Sequence, residues 1–307
     1  MRRNPRTAPA QTILTMAPRL PIPPVDGVSK TTARQKMLRQ LVCSDTHEQT
    51  LRSQGFRVIA GIDEVGRGAL FGPVVAAAVI LPPEPEDLRR MGLTDSKQLT
   101  RRQREELDRR IRDVALDLAI AEVDAGTIDR LNIYQASRLA MLRAVQLLTI
   151  APDHLLIDAM LLDLAQLSRP CAQTRLYYGD ALSFSIAAAS VVAKVHRDAL
   201  MRELDLLHPQ YGLAAHKGYA TLTHRKALAE HGPSPLHRMT FAPVLTAIPK
   251  ARPHPKSSSG RLFDEAGADP ARTPLAARTA KGKSPTSNPA TAGNPAIAGE
   301  EEDTTWA

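Results

Sequence analysis

The chain has 307 residues, 43% of them apolar and 23% charged, a balance that excludes both wholesale disorder and a membrane-embedded protein and leaves room for about two domains at most. Aromatic residues make up 4% and the single tryptophan is Trp306, so any core is aliphatic, and no run of about 18 apolar residues offers a transmembrane helix. The formal charge of +8 permits a phosphate-bearing partner without demonstrating one, because most of the excess sits in the first fifty residues.

Residues 1–40 read as a disordered basic arm, its first thirty mixing Pro, Arg and Ala without periodicity. Prolines interrupt any amphipathic transit helix there, and no apolar stretch suits a secretory signal. Three runs rich in Val, Ile and Ala follow, 57–63, 73–81 and 118–123, and read as buried strands. Between the last two, Thr100 is placed as the N-cap of a helix whose apolar stripe is Leu107, Ile111 and Val114. One helix is expected over 128–148, strands over 154–158 and 175–178, and helices over 185–207 and 219–231. Residues 250–307, rich in Pro, Ala, Ser and Thr with an acidic end, read as a disordered tail. Cys43 and Cys171 form no CxxC pair and no disulfide framework, so a reducing, cytoplasmic location is expected.

The sharpest local feature is Gly61-Ile62-Asp63-Glu64-Val65-Gly66-Arg67-Gly68, in which two acids follow a buried strand and precede a glycine-rich turn. Neighbours on a strand point to opposite faces, so both acids serve one site only if the chain bends at Glu64. Asp158 at the end of a second strand and Asp180 just before a helix have the same setting. If the strands carrying Asp63 and Asp158 run parallel, their carboxyl ends share the edge where α/β sheets place ligands. Acids gathered there must be protonated or neutralised by cations. Oxygen donors without Cys or His select Mg²⁺ or Mn²⁺, and a pair of such ions catalyses in-line displacement at phosphorus. The alternative, that these acids are helix caps and surface charges, stays open on this evidence. The 61–68 segment half-matches a P-loop but lacks its Lys and Ser/Thr, and no GxSxG elbow exists. His208, His216, His224, His231 and His237 cluster without zinc spacing and read as exposed or phosphate-contacting side chains.

The stretches DEVGRGALFGPVVAAAVIL (63–81), LTDSKQLT (93–100), LLIDA (155–159), GDALSFSIAAASVVAKVHRD (179–198) and the 208–244 segment together resemble bacterial ribonuclease HII. The resemblance implies a ribonuclease H-like α/β fold over 55–245: a mixed five-stranded sheet flanked by helices, with a small C-terminal helical subdomain over about 205–245. It implies an endonuclease that cleaves the RNA strand of RNA/DNA hybrids and nicks duplex DNA 5′ of embedded ribonucleotides, leaving a 5′-phosphate and a 3′-hydroxyl. Two Mn²⁺ or Mg²⁺ ions would be held by Asp63, Glu64 and Asp158, with Asp180 as the fourth catalytic acid. Gly66, Arg67 and Gly68 match the motif that reads the 2′-hydroxyl and phosphate through the backbone, and Tyr219 matches the tyrosine that stacks at the RNA–DNA junction. Lys97 and Lys194 are candidate phosphate contacts, although an ion pair of Lys194 with Asp198 would look the same. Ala159 and Tyr178 stand where the family usually has Gly and Lys, and Ala69 replaces a frequent proline. Ala159 is expected to tighten its turn and shift Asp158. The sister family, ribonuclease HIII, and a catalytically silent hybrid-binding protein are the rivals. A monomer is expected, with the tails as candidate sites of protein contact.

Overall fold

The computed structural model describes residues 41–247 and the backbone of a two-residue strand, Ile13–Leu14. The expectations for the rest of the basic arm and for the 250–307 tail lie outside the described residues. The strands are β1 (Ile13–Leu14), β2 (Ile59–Val65), β3 (Val74–Ile80), β4 (Asp117–Val123), β5 (His154–Asp158) and β6 (Ala172–Leu176), in the order β1-β6-β5-β2-β3-β4. The antiparallel ribbon β2–β3–β4 continues into the parallel strands β5 and β6. These five form the expected mixed sheet, and Ile13–Leu14 adds a short parallel edge beside β6.

Both faces of the sheet are covered, which is why β3 is apolar at every position rather than alternating. Val74, Ala76, Ala78 and Ile80 pack with Ile62, Ile157, Ala140 and Met141 on one face. Val75, Ala77 and Val79 pack with Ala188, Val191 and Val192 of the long helix Phe184–Leu207 on the other. The helix and strands approach so closely that a methyl group at Gly61 would lie 2.0 Å from the backbone carbon of Ser185. C-terminal helices Leu213–His216, Leu222–His231 and Ala242–Leu245 cover Leu70 and Phe71 through Leu213, Leu228 and Val244, together with Tyr211 from the short turn Pro209–Tyr211 before them. No helix among the described residues is long and apolar enough to cross a membrane.

Several elements differ from the sequence-based expectations. The folded region starts before residue 55, because helix Thr46–Ser53 sets Leu51 against Ile59 and Ile186. The expected 128–148 helix is two, Ala125–Leu131 and Ile133–Gln146, broken where Asn132 adopts φ 69° and its side chain caps Gln135 N at 3.1 Å. The last strand ends at Leu176 because Tyr178 turns into the left-handed region at φ 61°. The helix expected from 219 begins after the N-cap Thr221, leaving Tyr219 in the preceding loop.

Candidate active site

Strands β2 and β5 are parallel, with Ile62 opposite Ile157, so Asp63 and Asp158 emerge side by side at the carboxyl end of the sheet. Alternation puts both on the face covered by the long helix. Asp180 joins them from the turn that leads into this helix. Gly179 fastens the turn: its N–H donates to Asp158 Oδ1 at 2.8 Å, and a methyl group there would collide with Ile186. The N-terminus of the long helix is held by Glu48, whose Oε1 accepts from Ser183 Oγ at 2.6 Å and from Ser185 N at 2.8 Å. Glu48 went unrecognised in the sequence because its helix, Thr46–Ser53, lies between the basic arm and residue 55, a stretch to which the sequence reading assigns no element.

The expected bend at Glu64 is absent. The β2–β3 register runs unbroken through Glu64 and Val65, and the turn comes at Gly66, φ 89°. Glu64 therefore leaves β2 on the opposite face, but at the carboxyl end of the strand, where its charge and those of Asp63 and Asp158 still act on one another without a bend, and Arg67 Nη1 donates to its Oε1 at 3.1 Å. Its other oxygen, Oε2, is buried without a hydrogen-bond partner among the described residues.

Burial, reinforced by the negative charges of Asp158, Glu64 and Asp180, raises the Asp63 carboxyl well above its ordinary range. Burial also lifts Glu64 to about 7, against the pull of Arg67 and with help from Asp158. Asp158 rises to about 6 through burial and the charge of Asp180, opposed by the Gly179 hydrogen bond. Asp180 is raised by burial although Lys97 stabilises its charge. Lys97 Nζ donates to Asp180 Oδ2 at 2.7 Å while the rest of its side chain is exposed. Despite its own desolvation the ammonium is held charged by Asp180, Asp63 and Asp95.

These properties fit a divalent cation. The donors are hard oxygens, their charges repel one another, and a buried carboxylate oxygen of Glu64 lacks a partner. Among the described residues no three Asp, Glu, His or Cys side chains already close into a metal cage. Instead each acid has an oxygen engaged by the protein: Asp63 by Glu64 N, Glu64 by Arg67, Asp158 by Gly179 N and Asp180 by Lys97.

Beside the acids, the Gly66–Arg67–Gly68 loop rests on two fully buried arginines. Arg197 donates from Nε to Pro73 O at 3.2 Å, from Nη1 to Lys217 O at 2.9 Å and from Nη2 to Phe71 O at 3.1 Å. Arg238 donates from Nε to Gly72 O at 3.1 Å and from Nη1 to Arg67 O at 2.8 Å. Burial and the charge of Arg197 push the Arg238 guanidinium down to about 9. Gly66 is required twice over, by its positive φ and because a methyl group would lie 2.2 Å from Arg197 Nε. Gly68 faces open space, with nothing within 4 Å of where a side chain would begin.

Tyr219 is half-buried beside this loop, paired across an isolated bridge with Ala69, while Leu70 N donates to Gly218 O at 2.8 Å. Its ring lies 5.7 Å from the Arg197 guanidinium. Lys194 is paired with Asp198 at 2.5 Å, the plainer of its two readings. The histidine expectation fails at the two innermost rings: His224 and His237 are buried and hydrogen-bonded to each other. Arg197 was overlooked although Ala193, Arg197 and Met201 recur every four residues and are all fully buried, a helical spacing that points a guanidinium into the core.

A family model described as Ribonuclease HII matches residues 60–244. A ribonuclease HII of Koribacter versatilis (strain Ellin345) is 56% identical over 220 residues, covering 72% of this chain and 84% of the relative. That of Bacillus subtilis (strain 168) is 50% identical over 216 residues, covering 70% and 82%. Among solved structures, the ribonuclease H2 of Pyrococcus horikoshii OT3 superposes with a TM-score of 0.56 at 26% identity, covering 62% of this chain and 97% of its own.

Proposed function

This chain belongs to the ribonuclease HII family, and from that premise we propose that it is a divalent-metal-dependent endonuclease that nicks duplex DNA 5′ of embedded ribonucleotides. As a family member it hydrolyses the RNA strand of RNA/DNA hybrids. The observation that carries the finer reading is the gathering of Asp63, Asp158 and Asp180 at one sheet edge with their carboxyl pKa values raised.

Asp63, Glu64 and Asp158 would hold two Mg²⁺ or Mn²⁺ ions, with Asp180 as the fourth acid. Bound ions would supply Lewis acidity toward a phosphodiester and lower the pKa of the attacking water. The protein's own contribution is orientation. Gly179 N fixes the Asp158 carboxylate, and Lys97 fixes that of Asp180 while carrying a positive charge toward the position of an incoming phosphate. Arg67 turns Glu64. The open space over Gly68 admits a sugar-phosphate to within contact of the main chain, where a 2′-hydroxyl distinguishes RNA from DNA. Tyr219, paired across an isolated bridge with Ala69, would stack at the junction, and hydrolysis there would leave a 3′-hydroxyl and a 5′-phosphate. We assign Lys97 as a phosphate contact as well as an orienter, and Lys194 to its ion pair with Asp198.

Incubating a DNA duplex containing one ribonucleotide with Mg²⁺, Mn²⁺ or EDTA tests this reading. Nicking on the 5′ side of the ribonucleotide with either ion, and none with EDTA, is expected. Metal-independent retardation of the duplex without any nick would favour a silent hybrid-binding protein, and cleavage restricted to RNA tracts would favour the activity of ribonuclease HIII.

A further inference from the structure

A line of imidazoles behind Tyr219 has no part in the carboxylate edge. His237 Nδ1 accepts from Ser234 N at 2.9 Å. A backbone N–H can only donate, so in the neutral ring the proton is on Nε2. His237 Nε2 lies 3.1 Å from His224 Nε2, which must therefore accept, leaving the His224 proton on Nδ1. That atom is 3.0 Å from Tyr219 O and donates to it. The three contacts thus set a single direction, from Ser234 through His237 and His224 to the Tyr219 carbonyl.

His216 adds a third ring, stacked on His224 with centroids 4.5 Å apart. It spans the same loop, with Nε2 donating to Tyr211 O at 2.7 Å and Nδ1 accepting from Gly218 N at 3.2 Å. Burial lowers His224 and takes His237 down to about 4, so both stay neutral near pH 7.

We propose that His224, with its tautomer set by His237, is a positioning residue that holds the Tyr219 loop at the height needed to meet the ribonucleotide junction. This inference rests on the assignment of Tyr219 to that junction. The physical reason is division of labour: Arg197 braces the ring at 5.7 Å, but the backbone beneath it lies outside any helix or strand. Among the described residues the Tyr219 carbonyl otherwise accepts only from Thr221 N, at 2.8 Å, within its own tight turn.

Cleavage of a duplex with one ribonucleotide in Mg²⁺ is compared for wild type, Tyr219→Ala, His224→Leu, His224→Asn and the double variant Tyr219→Ala/His224→Leu, with a thermal melt of each. His224→Leu is expected to lose about tenfold in kcat/KM, less than the roughly hundredfold that a full 1 Å misplacement can cost. His224→Asn, whose amide can still donate to the carbonyl, should recover most of it. Added to Tyr219→Ala, His224→Leu should change kcat/KM by less than about twofold while still lowering the melting temperature, since residues acting through one another are non-additive in the shared function alone. An undiminished tenfold loss in the Tyr219→Ala background, or a folded His224→Leu enzyme with wild-type kcat/KM, would overturn the proposal. Wild-type kcat/KM in Tyr219→Ala would instead overturn the assignment of Tyr219. If His224→Leu does not fold, His237→Asn takes its place, since it leaves His224 present with its tautomer unset. A loss confined to the Tyr219 background supports the relay, and an equal loss in both backgrounds, or none in either, overturns it.

Discussion

At the edge of the sheet, Asp63, Glu64, Asp158 and Asp180 share a region that disfavours their charges, whereas under the neighbouring Gly66–Gly68 loop two guanidiniums are buried with only backbone carbonyls as hydrogen-bond acceptors among the described residues. The acids can be relieved by something that arrives from outside. Arg197 is held by the fold through all three of its nitrogens and Arg238 through Nε and Nη1, only the buried Nη2 of Arg238 having no hydrogen-bond partner among the described residues, and together they fix the backbone of Arg67, Phe71, Gly72, Pro73 and Lys217 before any ligand is present. One region is thus frustrated until loaded and the other is preorganised, so the two should respond differently to mutation, pH and metal.

The largest separation is expected from Asp158→Asn. Loss of one shared carboxylate should reduce nicking by roughly three orders of magnitude or more, while gel retardation of a ribonucleotide-containing duplex in Ca²⁺ stays close to wild type. Because Asn removes a charge that its neighbours repel, the variant should melt no lower than wild type in EDTA. A clear drop in melting temperature would mean that the Asp158 carboxylate is a structural group, held by Gly179, rather than one kept under tension.

The preorganised side is probed by Arg197→Met, which leaves the carbonyls of Phe71, Pro73 and Lys217 without their donor. We expect a loss of about 3 kcal/mol in urea unfolding. Arg197→Lys should recover little of it, because one ammonium cannot reproduce the planar fork that meets three acceptors. If Lys restores full stability, charge rather than geometry matters at this position.

A smaller and oppositely directed effect comes from pH. The acids have folded-state pKa values above their unfolded ones, with Asp158 at about 6 and Glu64 at about 7. Their protonated forms are favoured in the fold, so the associated stability is complete below the ordinary carboxylate range near pH 4 and is lost as pH rises through 6 to 7. In EDTA, stability should fall by about 2 kcal/mol across that window. Saturating Mg²⁺ or Mn²⁺ should flatten the profile by binding the ionised form. An EDTA profile that rises over the same window would contradict the crowding described here.

The frustrated side was also the more legible one. Asp63, Glu64, Asp158 and Asp180 could be singled out because an acid at the end of an apolar run breaks the local pattern, and the parallel β2–β5 pairing brought two of them together as expected. The preorganised side left weaker signals. Arg197 and Arg238 resemble surface cations in any composition count, and their burial depends on carbonyls offered by a turn more than a hundred residues away. His224 and His237 looked like solvent-facing rings because the C-terminal helices that bury them have little amphipathic contrast in sequence. The break at Asn132 and the early end of β6 at Tyr178 both depend on non-glycine residues at positive φ, which no hydrophobic period reports.

Ala159 offers the finest test, because it sits directly after a carboxylate on the frustrated side yet carries a purely backbone cost. It adopts φ 53°, where an alanine Cβ crowds the following carbonyl and glycine does not. The turn it was expected to tighten is fastened on both sides: Asp158 pairs with Leu176, its Oδ1 accepts from Gly179 N, and Ala159 N donates to Leu176 O at 2.8 Å. Ala159→Gly should therefore stabilise the protein by about 0.5 kcal/mol, the relief of strain being partly offset by the greater freedom of glycine in the unfolded chain. Its kcat should stay within about twofold of wild type, because the strain is confined to one residue and the carboxylate is held independently. A severalfold rise in kcat would show that the left-handed alanine reaches Asp158 after all, and that the carboxylate edge is strained by its backbone as well as by its charges.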